Sequence, residues 1–152
     1  VVDDVMQARI AIERQAIRLA CRRGTQSDYD RLADCLREIS ETIHVPESGG
    51  RADFRFHETI VSASGSPTLI SIYQSISVLM QRSHLDRREQ IIQVEGIEAF
   101  LIDHHRAIFA AIVERDEDKA DELLSRHFEI GADFRRRATI RMVGSQSITP
   151  TP

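Results

Sequence analysis

Asp53 and His57 are the first residues whose types and spacing could bind a metal ion. They are four positions apart in segment 51–60, which has the pattern of a helix, and side chains at i and i+4 share one helical face. His105 and His127 lie on the apolar stripes of two later predicted helices. One carboxylate and three imidazoles at inward-facing positions lead to the hypothesis of a buried metal site.

The carboxylate of Asp53 gives an energetic reason to expect a metal ion. Removing a carboxylate from water costs several kcal/mol unless a cation or strong donors compensate it. A divalent metal does this, because neutral imidazole nitrogens and carboxylate oxygens bind it at about 2.0 to 2.2 Å. A single histidine on an apolar face is more often an ordinary core residue, so the hypothesis depends on all four residues converging.

Length, charge and cysteine content restrict the class of protein. A chain of 152 residues suits one domain, with enough length to bury a sizeable core. The balance of 20 basic and 24 acidic residues gives a net charge of −4, which does not suit a nucleic-acid-binding surface. Cys21 and Cys35 fit buried small residues in a reduced, cytoplasmic protein, and no apolar run approaches the length of a membrane span.

The elements that must position these residues are all helical. The apolar periodicity and the turn signals predict six helices, at about 3–23, 25–43, 51–64, 67 to between 83 and 88, 94–115, and 116–141. Residues 45–50 have the composition of a loop. We therefore expect an all-α antiparallel bundle of about six helices over 5–141, with a metal and effector pocket in its core. Residues 142–152 are expected to form a disordered tail.

Several segments carry a resemblance to a known family. They are Asp53-Phe54-Arg55-Phe56-His57, then Ala63-Ser64-Gly65, then His105-Arg106-Ala107-Ile108-Phe109-Ala110-Ala111-Ile112, followed by Asp116, Ala120 and His127. In order and spacing they resemble the C-terminal effector-binding domain of GntR-type bacterial transcription regulators, of the FadR C-terminal (FCD) kind. The opening residues 9–13 are similar to the first helix of that domain.

The resemblance implies a ligand-sensing domain rather than an enzyme. Members are mostly homodimers, and an N-terminal winged helix-turn-helix domain that binds DNA is expected but absent from this chain. Many hold a divalent metal, zinc or nickel, through an Asp and three His, and a small carboxylate effector joins the open positions. The implied ligands are Asp53, His57, His105 and His127. His104 is the neighbouring alternative to His105, which fits the motif and the apolar stripe better.

Three further residues are candidates for binding the effector. Arg9 and Arg82 are proposed because a guanidinium pairs bidentately with a carboxylate. Ser66 is the third candidate, at the position where the family commonly has Asn. Its hydroxyl reaches less far than an amide, so whether this position contacts the pocket is left undecided by the sequence. His44 and His84 border predicted loops or helix ends, so solvated histidines are expected there, although His84 could support the metal ligands from outside.

Two alternatives stay open at this stage. A metal with His and carboxylate ligands is also the centre of non-haem iron and zinc enzymes, but a general base is not evident, since Glu58 points off the face of His57 and Glu13 is only weakly indicated. The other alternative is a purely structural metal that holds the bundle together. Turnover of a substrate would favour the enzyme, and loss of helicity on chelation would favour the structural metal.

Overall fold

The computed structural model describes residues 4–146, with side chains through residue 145. These residues form seven helices and no strand, which confirms the all-α prediction. The helices are α1 (Asp4–Arg23), α2 (Gln26–Glu41), α3 (Pro46–Ala63), α4 (Pro67–Ser75), α5 (Ser77–Ile91), α6 (Ile97–Val113) and α7 (Glu117–Gln146).

Two helix starts follow directly from local sequence. The Thr25 hydroxyl accepts from the backbone N–H of Asp28, and the Asp28 carboxylate accepts from the backbone N–H of Thr25, so α2 begins with a capping box. Ser66 accepts from the backbone N–H of Leu69, and Pro67 occupies the first turn of α4. Both devices satisfy donors that a helix start otherwise leaves unpaired.

The predicted loop at 45–50 is wrong beyond its first residue, because α3 begins at Pro46. The two glycines that suggested a loop lie inside the first turns of this helix. A Cβ on Gly49 would lie 2.8 Å from the carbonyl oxygen of Thr42 and 3.0 Å from a guanidinium nitrogen of Arg88. Gly49 therefore serves the close approach of neighbouring elements rather than a turn.

The predicted fourth helix is divided in two. Ile76 has φ −106° and ψ 3°, and this single residue separates α4 from α5. On either side, the hydroxyls of Ser75 and Ser77 donate to the carbonyls of Ile72 and Gln74, local bonds that compete with continuous helix. The break lets α5 pack against α3 and reach α7.

The last helix is longer than predicted. α7 continues to Gln146, so residues 142–146 of the expected tail are helical. The remaining residues, 147–152, lie outside the described part of the chain, where the disordered tail stays a prediction.

α3 is the central element of the bundle, since it contacts α1, α2, α4 and α5. Its Phe56 belongs to the larger apolar cluster with α6 and α7, and its Phe54 belongs to a smaller cluster with Tyr73 and Met80. Cys21 and Cys35 are buried and unpaired, as expected. No helix among the described residues is long and apolar enough to cross a bilayer.

Candidate metal centre

Asp53, His57, His105 and His127 converge in the core. Each offers one ligand atom, and these four atoms all lie within 4.8 Å of one another. All four residues are buried, and they come from α3, α6 and α7. The convergence that the sequence required is therefore present.

The separations of the ligand atoms suit a metal ion. His105 Nε2 lies 3.0 Å from Asp53 Oδ1, His57 Nε2 lies 3.2 Å from the same oxygen, and the two ring nitrogens are 3.4 Å apart. Ligands at about 2.1 Å from one ion are about 3.0 to 3.4 Å apart in octahedral or tetrahedral geometry. His127 Nδ1 is a buried ring nitrogen without a hydrogen-bond partner, and coordination of an ion by this nitrogen would compensate for that loss. The residues present fit a divalent metal.

Hydrogen bonds outside the group orient two of the histidines. The Nδ1–H of His105 donates to the backbone carbonyl of Leu101. The Nδ1 of His57 lies 3.1 Å from Oε2 of the buried Glu13, and a carboxylate can only accept from it. Both rings therefore present Nε2 to the centre, the arrangement that metal-binding histidines usually require.

The second oxygen of Asp53 is already used. Oδ2 lies 3.1 Å from Arg88 and 3.4 Å from His84 Nε2. His84 Nδ1 lies 3.0 Å from a guanidinium nitrogen of Arg9; because a guanidinium only donates, Nδ1 accepts and Nε2 carries the proton. Oδ1 is thus the oxygen left for a metal, and His84 supports Asp53 rather than competing with it.

Burial and neighbouring charges set the protonation states. Burial by itself raises the pKa of Asp53, but the favourable electrostatic effect of the neighbouring His105 and His84 side chains outweighs it, so the pKa lies well below its usual range. Burial, followed by the charges of His105 and His57, holds the pKa of His127 well below its usual range. Burial lowers the pKa of His84 to about 4 against the opposing effect of Asp53. At neutral pH these shifts leave Asp53 ionised and His127 neutral, the states that metal binding needs. Burial lowers the pKa of His57, but the negative charge of the neighbouring Glu13 outweighs burial and raises that pKa above its usual value.

A cavity of about 70 Å³ adjoins the centre. Asp53 and His127 form part of its wall, and four guanidinium side chains, those of Arg9, Arg87, Arg88 and Arg135, also line it. Arg88 is only 2% exposed, and its Nε and one terminal nitrogen have no hydrogen-bond partner. These two nitrogens lie beside Gly49, so it is the positive charge of the four lining guanidinium groups that favours an anionic guest in the cavity.

The structure brings one of the three predicted effector residues to this site. Arg9 is buried and lines the cavity. Arg82 is exposed and lines a separate groove between α3 and α5, because α5 turns its His84 and Arg88 face inward. The Ser66 hydroxyl is engaged in capping α4. Neither Arg82 nor Ser66 lines the cavity beside the centre, and their part in effector binding stays a prediction.

The remaining histidines are also placed. His44 is exposed and lies 3.0 Å from Glu98, as expected of a solvated histidine. His104 is half-buried and packs on Phe100, which leaves His105 as the inward member of the pair. His84 is mostly buried rather than solvated, and the supporting role considered for it agrees with its contact to Asp53.

Sequence reasoning missed Arg88 and underrated Glu13. A usable signal was present, because Arg9 and Glu13 on α1, and His84 and Arg88 on α5, repeat the i, i+4 spacing of the first metal candidates. Polar pairs on one helical face can indicate a shared buried partner. The apolar pattern of α5 is weak, so its inward face was not recognised.

The fold and this site define a helical domain with a buried metal-type centre beside a cationic cavity. Residues 4–130 match the FCD domain, and the chain belongs to the FCD domain family of GntR-type transcription regulators.

Similarity to individual proteins agrees with this assignment. The chain is 28% identical over 124 residues to the galactonate operon transcriptional repressor of Escherichia coli strain K12, covering 80% of this chain and 52% of that protein. It is 28% identical over 123 residues to the HTH-type transcriptional repressor NanR of Cronobacter sakazakii, covering 80% of this chain and 46% of the other. A solved structure, E. coli McbR/YncC, shares the fold with a TM-score of 0.75 at 17% identity, covering 90% of this chain and 68% of that one.

These matches confirm the predicted family. The chain spans about half the length of the curated relatives it matches. It is the ligand-sensing domain of a transcription regulator and not an enzyme, as the resemblance implied.

Proposed function

We propose that this domain senses a small carboxylate effector through a divalent metal, zinc or nickel, held by Asp53, His57, His105 and His127. The observation that carries the proposal is the set of four buried ligand atoms within 4.8 Å of one another, next to a cavity lined by guanidinium groups. The metal would supply a positive charge and open coordination positions for the effector.

The donor set favours a chelating acid. Three imidazole nitrogens and one carboxylate oxygen fill four positions, and an ion that accepts six ligands keeps two for water or an effector. A carboxylate with a neighbouring hydroxyl can occupy both. The guanidinium groups that line the cavity could bind the outer carboxylate oxygen by charge-assisted hydrogen bonds.

The size of the cavity restricts the effector. A cavity needs about 10 to 15 Å³ for each water, so about 70 Å³ holds only a few heavy atoms. One relative is named as the galactonate operon repressor, and galactonate is itself a hydroxy acid. We infer that the effector here is a short hydroxy acid.

Binding would be transmitted as a shift between arrangements of the bundle. The candidate ligands lie on α3, α6 and α7, while Arg9 and Arg88 add α1 and α5. An effector that binds one arrangement better shifts the population by its differential affinity. The affected output would be DNA binding by a winged helix-turn-helix domain, a proposal supported by relatives named as HTH-type regulators. Such regulators act on DNA, so we propose a cytoplasmic location.

We also propose a homodimer. Three large apolar side chains within residues 72–79 are exposed, Ile72 at 46%, Val78 at 77% and Leu79 at 55%. They lie on α4 and α5, the two helices into which the predicted fourth helix is divided. Exposed apolar clusters of this kind mark interaction sites.

Cobalt substitution tests the sensor proposal. We expect the metal-stripped domain to bind one Co²⁺ per chain with a visible absorption spectrum, and lactate, as a short hydroxy acid, to change that spectrum. An Arg88→Lys variant should keep the metal but bind the acid about tenfold more weakly, because lysine lacks the planar fork. Failure to bind Co²⁺ would contradict the proposal, and a spectrum unaffected by any short acid would support a structural metal.

A further inference from the structure

Glu13 is a fully buried carboxylate on α1 that contacts the metal centre without belonging to it. Its side chain is 0% exposed. Oε2 lies 3.1 Å from His57 Nδ1, and Oε1 lies 3.1 Å from Arg9 Nε and 2.6 Å from the Tyr73 hydroxyl. Each oxygen therefore accepts at least one hydrogen bond from a protein side chain.

We propose that Glu13 is the positioning carboxylate of the metal centre, which fixes the ring of His57 and makes α1 part of the site without supplying a ligand. This inference rests on the proposed metal function. A carboxylate that accepts the far N–H of a ligating imidazole selects the tautomer, holds the ring plane and raises the basicity of the coordinating nitrogen. Glu13 has this relation to His57.

The surrounding contacts form a ring of five side chains in which every link is a hydrogen bond except that between His57 Nε2 and Asp53, where two acceptors face each other. From Glu13 it passes to His57, then through His57 Nε2 to Asp53 at 3.2 Å, through Asp53 to His84 at 3.4 Å, through His84 to Arg9 at 3.0 Å, and back to Glu13. The ring joins α1, α3 and α5. An ion bound to His57 and Asp53 would close the same ring, so α1 is coupled to occupancy of the centre.

Pairing with Arg9 alone does not explain the position of Glu13. A salt bridge between Arg9 and Glu13 needs only one carboxylate oxygen, and Oε1 provides it. Oε2 is directed instead to His57, on a different helix. The Tyr73 hydroxyl donates to Oε1 and so holds the carboxylate in the orientation that leaves Oε2 for the imidazole.

The test compares Co²⁺ affinity by chelator competition in the unmodified domain, Glu13→Gln and Glu13→Asp. The first variant removes the negative charge, and the second keeps the charge but withdraws it from His57. Both should bind Co²⁺ about 10 to 100-fold more weakly, the usual effect of losing such a partner. The exposed Glu122→Gln is the control that leaves the contact to His57 in place, and it should stay within about threefold of the unmodified domain.

A spectroscopic reading separates positioning from a general loss of stability. In the unmodified domain, ¹⁵N-edited NMR should show a protonated, hydrogen-bonded Nδ1 on His57, and added Zn²⁺ should shift Nε2. This measurement holds even if a Glu13 variant fails to fold. Zinc binding through Nδ1 would overturn the inference.

The outcomes also separate this inference from the proposed function. If the unmodified domain binds Co²⁺ and folded Glu13 variants bind it equally well, Glu13 has no positioning role, while the metal function stands. If the unmodified domain binds no Co²⁺, the proposed function fails and this inference fails with it.

Discussion

At the residue scale, the candidate ligands differ in how well the protein satisfies them without an ion. His57 and His105 each hydrogen-bond to a partner outside the group, and Asp53 accepts from Arg88. His127 is the exception, because its Nδ1 is buried without a partner. A buried polar group left unpaired costs about 1 to 3 kcal/mol, which a metal bound by His127 would help to offset.

Replacing His127 tests that difference. We expect His127→Ala to lose at least about tenfold in Co²⁺ affinity, since one of four ligands is removed. The metal-free variant should keep its helical circular dichroism, because the apolar clusters around the centre are intact. The exposed His44→Ala is the matched control and should bind Co²⁺ normally. Equal affinity of His127→Ala and the unmodified domain would exclude His127 as a ligand.

At the element scale, the start of α3 depends on glycine at position 49, where there is no room for a larger side chain. A Cβ at Gly49 would meet the Thr42 carbonyl at 2.8 Å and Arg88 at 3.0 Å, whereas one at Gly50 meets only atoms at 3.8 Å or beyond. We expect Gly49→Ala to lower the free energy of unfolding by about 1 to 3 kcal/mol through overpacking. Gly50→Ala should be neutral or stabilising by up to about 1 kcal/mol, from helix propensity.

Urea unfolding of the two variants measures this contrast directly. Because the clash at Gly49 involves Arg88, Gly49→Ala should also weaken binding of an acid in the cavity. Equal stability of both variants would show that the first turn of α3 adjusts freely.

The contact between α1 and α7 rests on a second charged cluster, away from the metal centre. Asp121 Oδ1 lies 2.7 Å from Arg14, and Oδ2 lies 2.8 Å from Arg18. The hydrogen bond from Arg14 lowers the pKa of Asp121 most. Burial opposes this effect, and the hydrogen bond from Arg18 lowers the pKa further. The carboxylate side chain is 8% exposed and that of Arg14 is 50% exposed, so solvent weakens the pair.

This cluster predicts a pH dependence of stability. The folded-state pKa of Asp121 lies below its unfolded value, so its contribution is complete above about pH 4 and is lost as pH falls through the folded-state pKa. Asp121→Asn should lower the free energy of unfolding by about 1 to 2 kcal/mol at pH 7. In urea unfolding the deficit should shrink below about pH 4. A deficit that stays constant down to pH 2 would contradict an electrostatic origin.

Periodicity and capping signals in the sequence predict most of the helices, but they do not predict the helical conformation of 46–50 or the break at Ile76. The capping box at Thr25 and the Ser66-Pro67 start depend on local backbone chemistry, which the sequence contains. The glycines within 46–50 pack closely against Arg88, more than thirty residues away, a contact that local composition does not reveal, so the composition indicated a loop. The division at Ile76 is likewise not marked by Gly or Pro.

Prediction of the site from the sequence is limited in the same way, because long-range packing is not visible in local patterns. The four candidate ligands were predictable because Asp53 and His57 share a face and two histidines interrupt apolar stripes. Glu13, His84 and Arg88 are polar residues whose burial arises only when α1 and α5 pack onto α3. Arg82 was preferred to Arg88 because the inward face of α5 could not be read from its weak apolar pattern.

At the scale of the whole molecule, the exposed apolar side chains of α4 and α5 should be covered in solution. We expect light scattering to show a dimer of the unmodified domain, and Val78→Asp to shift it toward monomer by placing a charge in the interface. Ile140→Asp is the comparison. Ile140 is 71% exposed and lies on α7 with two other exposed apolar side chains, Met142 and Val143. If only the α7 variant dissociates, the dimer surface lies on α7.

The metal and the acid should act as linked ligands of the whole bundle. An ion would connect α3, α6 and α7, and an acid bound to it would add Arg9 of α1 and Arg88 of α5. Each ligand that binds only the folded state raises its stability by about 2.7 kcal/mol at a hundredfold excess over Kd. The acid should therefore add stability only after the metal has bound.

Thermal unfolding of the metal-stripped domain is the most direct test of the metal as the anchor of the effector. It would be measured alone, with Zn²⁺, with lactate, and with both. The expected result is a rise in Tm with Zn²⁺, no change with lactate alone, and a further rise with both. An equal rise with lactate in the absence of Zn²⁺ would contradict the metal-anchored site.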